Sequence, residues 1–215
     1  METGIETVPQ KSGEEKLASV ISFILHPLLM PTYGFLLIFS TRNYISMFTP
    51  YNYKIAIVSV TFLFTFVLPT INALILLKMG RIKSLEMDTP AERVIPYGST
   101  AVYYFALFYL FYNKQLPAVF KILVLGAAIS ILLTLIINYK WKISAHTIGI
   151  GGIAGATLGM MYRLQVDLNF MFMLIILLAG FVSFARLKLN AHTPAQVYTG
   201  FLLGFMVELV LMFTM

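Results

Sequence analysis

The sequence predicts an all-α protein, a polytopic transmembrane helical bundle of six to seven spans. The chain is 59% hydrophobic and only 11% charged over 215 residues, with a mean hydropathy of +0.85. Long apolar runs recur between short polar loops. A water-soluble domain of this length needs far more polar surface. With no cysteine there is no disulfide framework and no thiolate metal site. The net charge of +6 is modest, and no basic run is interleaved with exposed aromatics. That pattern suits anionic lipid head groups and argues against nucleic acid as a partner. Glu2, Glu6, Glu14 and Glu15 make the start unlike a basic secretory leader. Residues 1–16 are therefore expected to be a polar tail, and 17–215 one membrane domain.

A span takes ~20 apolar residues, fewer where protein neighbours cover it. Seven segments qualify: Leu17–Phe39, Ile55–Leu77, Tyr97–Tyr112, Leu116–Ile137, His146–Met161, Leu168–Phe184 and Ala195–Thr214. The third and fifth are short, as suits helices packed inside a bundle. Gly151, Gly155 and Gly159 lie four residues apart on one face of the fifth, a spacing for close helix approach and not for a phosphate loop. His26-Pro27 and Pro31 could break the first segment. Unbroken, it puts the N-terminus at the same end as the loops described next.

Two spans separate each of the loops 78–96, 138–145 and 185–194 from the next, so parity puts all three at one end. That end, with the N-terminus, holds Lys11, Lys16, Lys78, Arg81, Lys83, Arg93, Lys140, Lys142, Arg186 and Lys188. The other end holds only Arg42, Lys54, Lys114, Lys121 and Arg163, a bias that orients the richer end toward the cytoplasm. Setting aside the candidate ligands Lys83, Arg93 and Arg186 narrows that bias.

Each of these loops carries a helix-start signal. Thr89-Pro90 followed by Glu92 reads as a capping box, with Arg93 one turn into the helix. Ser144 is a good cap for the fifth span, with His146 in its first turn; free N–H groups there favour an anion. Thr193-Pro194 repeats the pattern, with His192 just outside and Arg186 six residues earlier. Only three histidines occur in the chain, and His146 and His192 share this end with arginine, the natural fork for phosphate oxygens. A neutral imidazole can attack phosphorus or pass a proton near neutral pH. His26, isolated in the first span, reads as an interfacial residue with a satisfied hydrogen bond. Glu208 reads as interfacial near the end of the last span, ~24 Å along the helix from His192.

These residues resemble the type-2 phosphatidic acid phosphatase family, which shares its site with vanadium haloperoxidases. Its third motif, Ser-Arg-x5-His-x3-Asp, matches Arg186, His192 and Gln196, with Ala185 for Ser and Gln for Asp. Its second, Pro-Ser-Gly-His, is Ile143-Ser144-Ala145-His146 here. Its first, Lys-x6-Arg-Pro, is divergent: Lys83 lies ten residues before Arg93, and Pro96 follows at a distance.

The resemblance implies a metal-independent membrane lipid-phosphate phosphatase with no cofactor. His192 would form a phosphohistidine, and His146 would protonate the leaving oxygen. Arg93, Arg186, Lys83 and Ser144 would hold the phosphoryl oxygens. Gln196 would orient His192: its carbonyl can accept the Nδ1–H but brings no full charge, which Asp88 or Glu92 could supply. The implied substrates are phosphomonoesters or diphosphates of lipids: phosphatidate, phosphatidylglycerophosphate, isoprenyl diphosphate or lipid A phosphate. The implied location is a multi-pass one in a cell membrane, expected to be a bacterial cytoplasmic membrane. A phosphotransferase, or a lipid-phosphate binding or transport protein without turnover, are the alternatives.

Overall fold

The computed structural model describes residues 12–87 and 89–215. Most of the tail expected at residues 1–16, and the candidate Asp88, lie outside the described residues. The helices among the described residues are α1 (Gly13–Ile24), α2 (Met30–Ser40), α3 (Tyr44–Phe48), α4 (Tyr51–Phe62), α5 (Leu68–Lys78), α6 (Pro90–Tyr112), α7 (Ala118–Asn138), α8 (Ala145–Leu164), α9 (Asn169–Lys188) and α10 (Pro194–Thr214). The all-α bundle is as expected, and the boundaries move by a few residues. Helix α1 starts inside the segment assigned to the tail, where Ser12 and Glu15 form a reciprocal capping box.

Among the described residues, six segments are long and apolar enough to cross a membrane: Gly13–Ser40, Tyr51–Lys78, α6, α7, α9 and α10. The seventh, α8, has the length but not the hydropathy, because glycines replace large apolar side chains along it. It can dispense with them because protein surrounds it. The first rod is broken, as His26-Pro27 and Pro31 suggest. Helix α1 ends at Ile24, a 3-10 turn covers Pro27–Leu29, and α2 resumes at Met30. The second rod stays helical through a π turn at Leu63–Val67. The third span starts seven residues earlier than expected, because the helix capped by Thr89 runs through Pro96 into the membrane.

The tightest seam joins α8 to α10. A Cβ on Gly151 or Gly155 would strike the carbonyl of Phe201 or Phe205, and one on Gly159 would strike Met212. From the other side, Gly204 lies against the Ile148 carbonyl and Gly200 against Thr147 and Ser144. The glycine stripe is therefore a packing surface, as the spacing implied. An aromatic cluster of Phe35, Phe39, Phe111 and Phe120 packs α2, α6 and α7 together elsewhere in the bundle.

The seam can be tested by overpacking. Gly155→Ala should destabilise the folded protein in detergent by about 1–3 kcal/mol. Gly180→Ala on α9, where an added Cβ meets nothing within 4 Å, should be neutral or stabilising. Thermal unfolding of both variants checks the contrast.

Candidate anion-binding site

The three polar loops meet around one cavity of about 820 Å³. Glu86, Met87 and Arg93 come from the first loop and the start of α6; Lys142, Ala145 and His146 from the second loop and α8; Arg186 and Leu189–His192 from the third. Helix α1 and the turn after it add Ser22 and His26.

Local structure holds each side chain in place. Arg93 sits one turn into α6, only 5% exposed, and its Nε–H donates to the Met87 carbonyl at 2.7 Å. The Asn138 amide at the end of α7 donates to the Pro90 carbonyl at 3.1 Å, tying down the start of α6. Helix α9 ends with Asn190 at φ 51, the left-handed conformation that asparagine tolerates. Asn190 N–H then bonds the Leu187 carbonyl, and Ala191 N–H the Arg186 carbonyl. This helix stop makes the Arg-x5-His spacing a geometric unit: the arginine's own carbonyl anchors the residue before His192. Beyond it, Thr193 and Gln196 form a complete capping box at the start of α10.

Hydrogen bonds fix the imidazole tautomers. His192 Nδ1 lies 3.2 Å from the Lys142 carbonyl and 3.2 Å from Gln196 Oε1. Both oxygens only accept, so Nδ1 carries the proton and Nε2 keeps a lone pair. Gln196 Oε1 also accepts the Thr193 N–H at 3.1 Å, so the helix cap sets the orienting group. His146 Nε2 lies 3.2 Å from the Ser22 carbonyl and must donate to it, leaving the lone pair on Nδ1. His192 stands outside the spans. Burial, then the nearby Arg186 charge, pushes it down to about 4, against the opposing Gln196 and Lys142 hydrogen bonds. It is therefore neutral at physiological pH.

Two groups at the site carry no local sequence signal. Ser22 accepts from His146 through its carbonyl and from Arg186 Nη1 through its hydroxyl at 3.3 Å. The His26 ring stands edge-on to His146 at 5.4 Å between centroids, and on to Phe66 at 6.4 Å. His26 does make the local hydrogen bond expected of it, accepting the Leu28 N–H at Nδ1, yet it lines the cavity. Both residues come from the segment most distant in sequence from their partners, where spacing rules have no reach.

Other expected site residues fall elsewhere. Lys83 is exposed and is not part of the cavity wall, where Lys142 is the lysine present. The divergent first motif explains this, since its lysine sits three residues farther from the arginine than the pattern requires. Ser144 is fully buried beneath α10: its hydroxyl caps α8 by accepting the Thr147 N–H, and its own N–H faces the Gln196 carbonyl. Glu92 is not part of the wall either.

Glu208 corrects the interfacial reading. It is 3% exposed, lines the inner cavity, and leaves Oε2 with no partner. Its carboxyl rests where a side chain on Gly126 would stand, so glycine there opens the space. The Ser130 hydroxyl, one turn along α7 from Gly126, is likewise buried, unpartnered and on the cavity wall.

Long apolar helices enclosing a cavity lined by Arg93, Arg186, His146 and His192 at one end define a polytopic membrane protein. Residues 137–215, the segment that holds the second and third motifs, match the family model of the PAP2 superfamily. No curated protein and no solved structure matches the chain.

The tautomer assignment gives a pH signature. An NMR titration of His192 in the ligand-free protein should show a midpoint near 4, well under the free value of 6.5. Gln196→Glu, which puts a carboxylate on the same atoms, should raise that midpoint. The sign for stability follows, because the depressed value favours the neutral form in the folded state. The His192 contribution is complete above about pH 6.5 and is lost as pH falls toward 4.

Proposed function

We propose that the protein is an integral membrane lipid-phosphate phosphatase acting through a phosphohistidine on His192. The PAP2 match supports a phosphatase-type hydrolase. The observation that carries the reading further is the pairing of a free His192 Nε2 lone pair with two guanidinium groups on one cavity wall. Arg186 Nε is buried with no partner, a strong donor awaiting an acceptor.

Arg93 and Arg186 hold the phosphoryl oxygens and neutralise the charge that builds in the transition state. The His192 Nε2 lone pair forms a bond to phosphorus, and the bond to the leaving oxygen breaks. Charged, His146 supplies that oxygen with a proton from Nδ1. Neutral, it takes a proton from the water that then displaces phosphate from His192. Ser144 supports the start of α8 in this scheme, and its first-turn N–H groups add hydrogen-bond donors. Lys142 takes the place that the family pattern gives to Lys83. The apolar stretch of the cavity, with Leu28, Met30, Leu123, Ile131 and Ile153, accommodates the lipid. A lipid-phosphate binding protein without turnover is the competing reading, favoured by the missing carboxylate at Gln196.

Purified protein given short-chain phosphatidate or an isoprenyl diphosphate should release inorganic phosphate. His192→Ala should abolish the release, and Arg186→Ala should lower kcat/KM by a factor of at least about 100, the scale of losing one strong transition-state donor. Tight lipid binding with no phosphate released by the wild type would favour the binding reading.

A further inference from the structure

His26 lies outside the family-matched segment, and the mechanism above does not use it. Its Nδ1 accepts the Leu28 N–H at 3.3 Å, so the ring is neutral with its proton on Nε2. Phe66 and His146 fix the ring plane from two sides, and the ring lines the cavity. The site therefore holds a third imidazole, able to offer its remaining N–H as an uncharged donor. It stands beside His146, the residue that the phosphatase reading places at the leaving oxygen.

We propose that His26 is a substrate-contacting, specificity-determining residue that binds a second phosphate, the one attached to the leaving side of the transferred phosphoryl group. This rests on the phosphatase reading and narrows it to lipid diphosphates. Two features fit a paired anion. The Arg186 guanidinium reaches the His146 side through its bond to Ser22 and still has a buried, unpartnered Nε–H. Ser22, one turn before His26, anchors both Arg186 and His146, so α1 builds this half of the pocket as a unit.

The chemistry agrees. His192 Nε2 bonds to the terminal phosphorus as the bond from that phosphorus to the bridging oxygen breaks. The electron pair stays on the bridging oxygen, which leaves with the lipid monophosphate. Water then attacks the phosphorus, the N–P pair returns to Nε2, and the water proton passes to His146 Nδ1. A phosphate monoester has a second pKa of about 6, so it departs without needing a full proton. An alkoxide does not. A neutral hydrogen-bond donor at the leaving side is enough for the first, whereas the second depends on a full proton from charged His146.

The test compares farnesyl diphosphate with farnesyl monophosphate, which share one chain, on the full-length protein. The wild type should show at least a tenfold higher kcat/KM for the diphosphate. His26→Ala should lower the diphosphate value about tenfold or more while changing the monophosphate value less than threefold. His26→Gln, which restores an N–H donor, should recover part of the loss. As a readout free of turnover, inorganic pyrophosphate should raise the Tm of the wild type more than inorganic phosphate does, and His26→Ala should erase that difference.

Equal losses on both substrates, a wild-type preference for the monophosphate, or an unchanged pyrophosphate shift in His26→Ala would overturn the assignment. Hydrolysis of neither substrate by the wild type would instead remove the phosphatase reading itself, and this proposal with it.

Discussion

Backbone contact between α8 and α10 is the constraint on which the site depends. Carbonyls of one helix rest where side chains of the other would stand, at Gly151, Gly155, Gly200 and Gly204. Nothing bulkier than hydrogen fits at these crossings, so the two helices are held in one register. That register carries the Ser144 cap to the first turn of α10, where its N–H meets the Gln196 carbonyl. It also sets the Lys142 carbonyl within 3.2 Å of His192 Nδ1. The same glycines lower the hydropathy of α8, which its protein surroundings allow.

A second layer of control comes from α1. Ser22 joins a guanidinium and an imidazole that lie 164 and 124 residues away from it in sequence. With its Nε2–H committed to the Ser22 carbonyl, His146 keeps its lone pair on Nδ1, while His192, held at Nδ1, keeps its lone pair on Nε2. The two imidazoles are thus set in opposite senses, and each is set by an acceptor from another element. The ion pair between Glu14 and Lys188 joins the start of α1 to the end of α9, but an exposed pair of this kind adds little stability. The hydrogen bonds of Ser22 are the stronger constraint on where α1 lies.

Much of this was legible in the sequence because its causes are local. Thr89, Ser144 and Thr193 cap helices where the capping patterns put them. Parity brought three loops together from the count of apolar runs alone. The Gly-x3 spacing announced a close crossing. Features that arise from contact between distant segments were not legible. Ser22 looks like any small residue in an apolar stretch, and His26 has only its own turn as context. Glu208 reads as a surface residue until the cavity beside Gly126 and Gly152 is seen to receive it. Gln196 was legible as an acceptor for His192, while its second duty, completing the α10 capping box, emerges only when both hydrogen bonds are placed. Lys142, and not Lys83, reaches the cavity wall because a loop of irregular backbone, unlike a helix, offers no fixed offset between a residue and the wall it joins.

The central claim is that an incoming phosphoryl group meets a His192 ring whose only available nitrogen is Nε2. Rapid acid-free quenching during turnover, followed by peptide mass spectrometry and phosphorus NMR under alkaline conditions, reads that atom directly. The account predicts an acid-labile phosphoryl group on His192, bonded at Nε2, and none on His146. A phosphoryl group at Nδ1, on another residue, or absent from an enzyme that is turning over would contradict it.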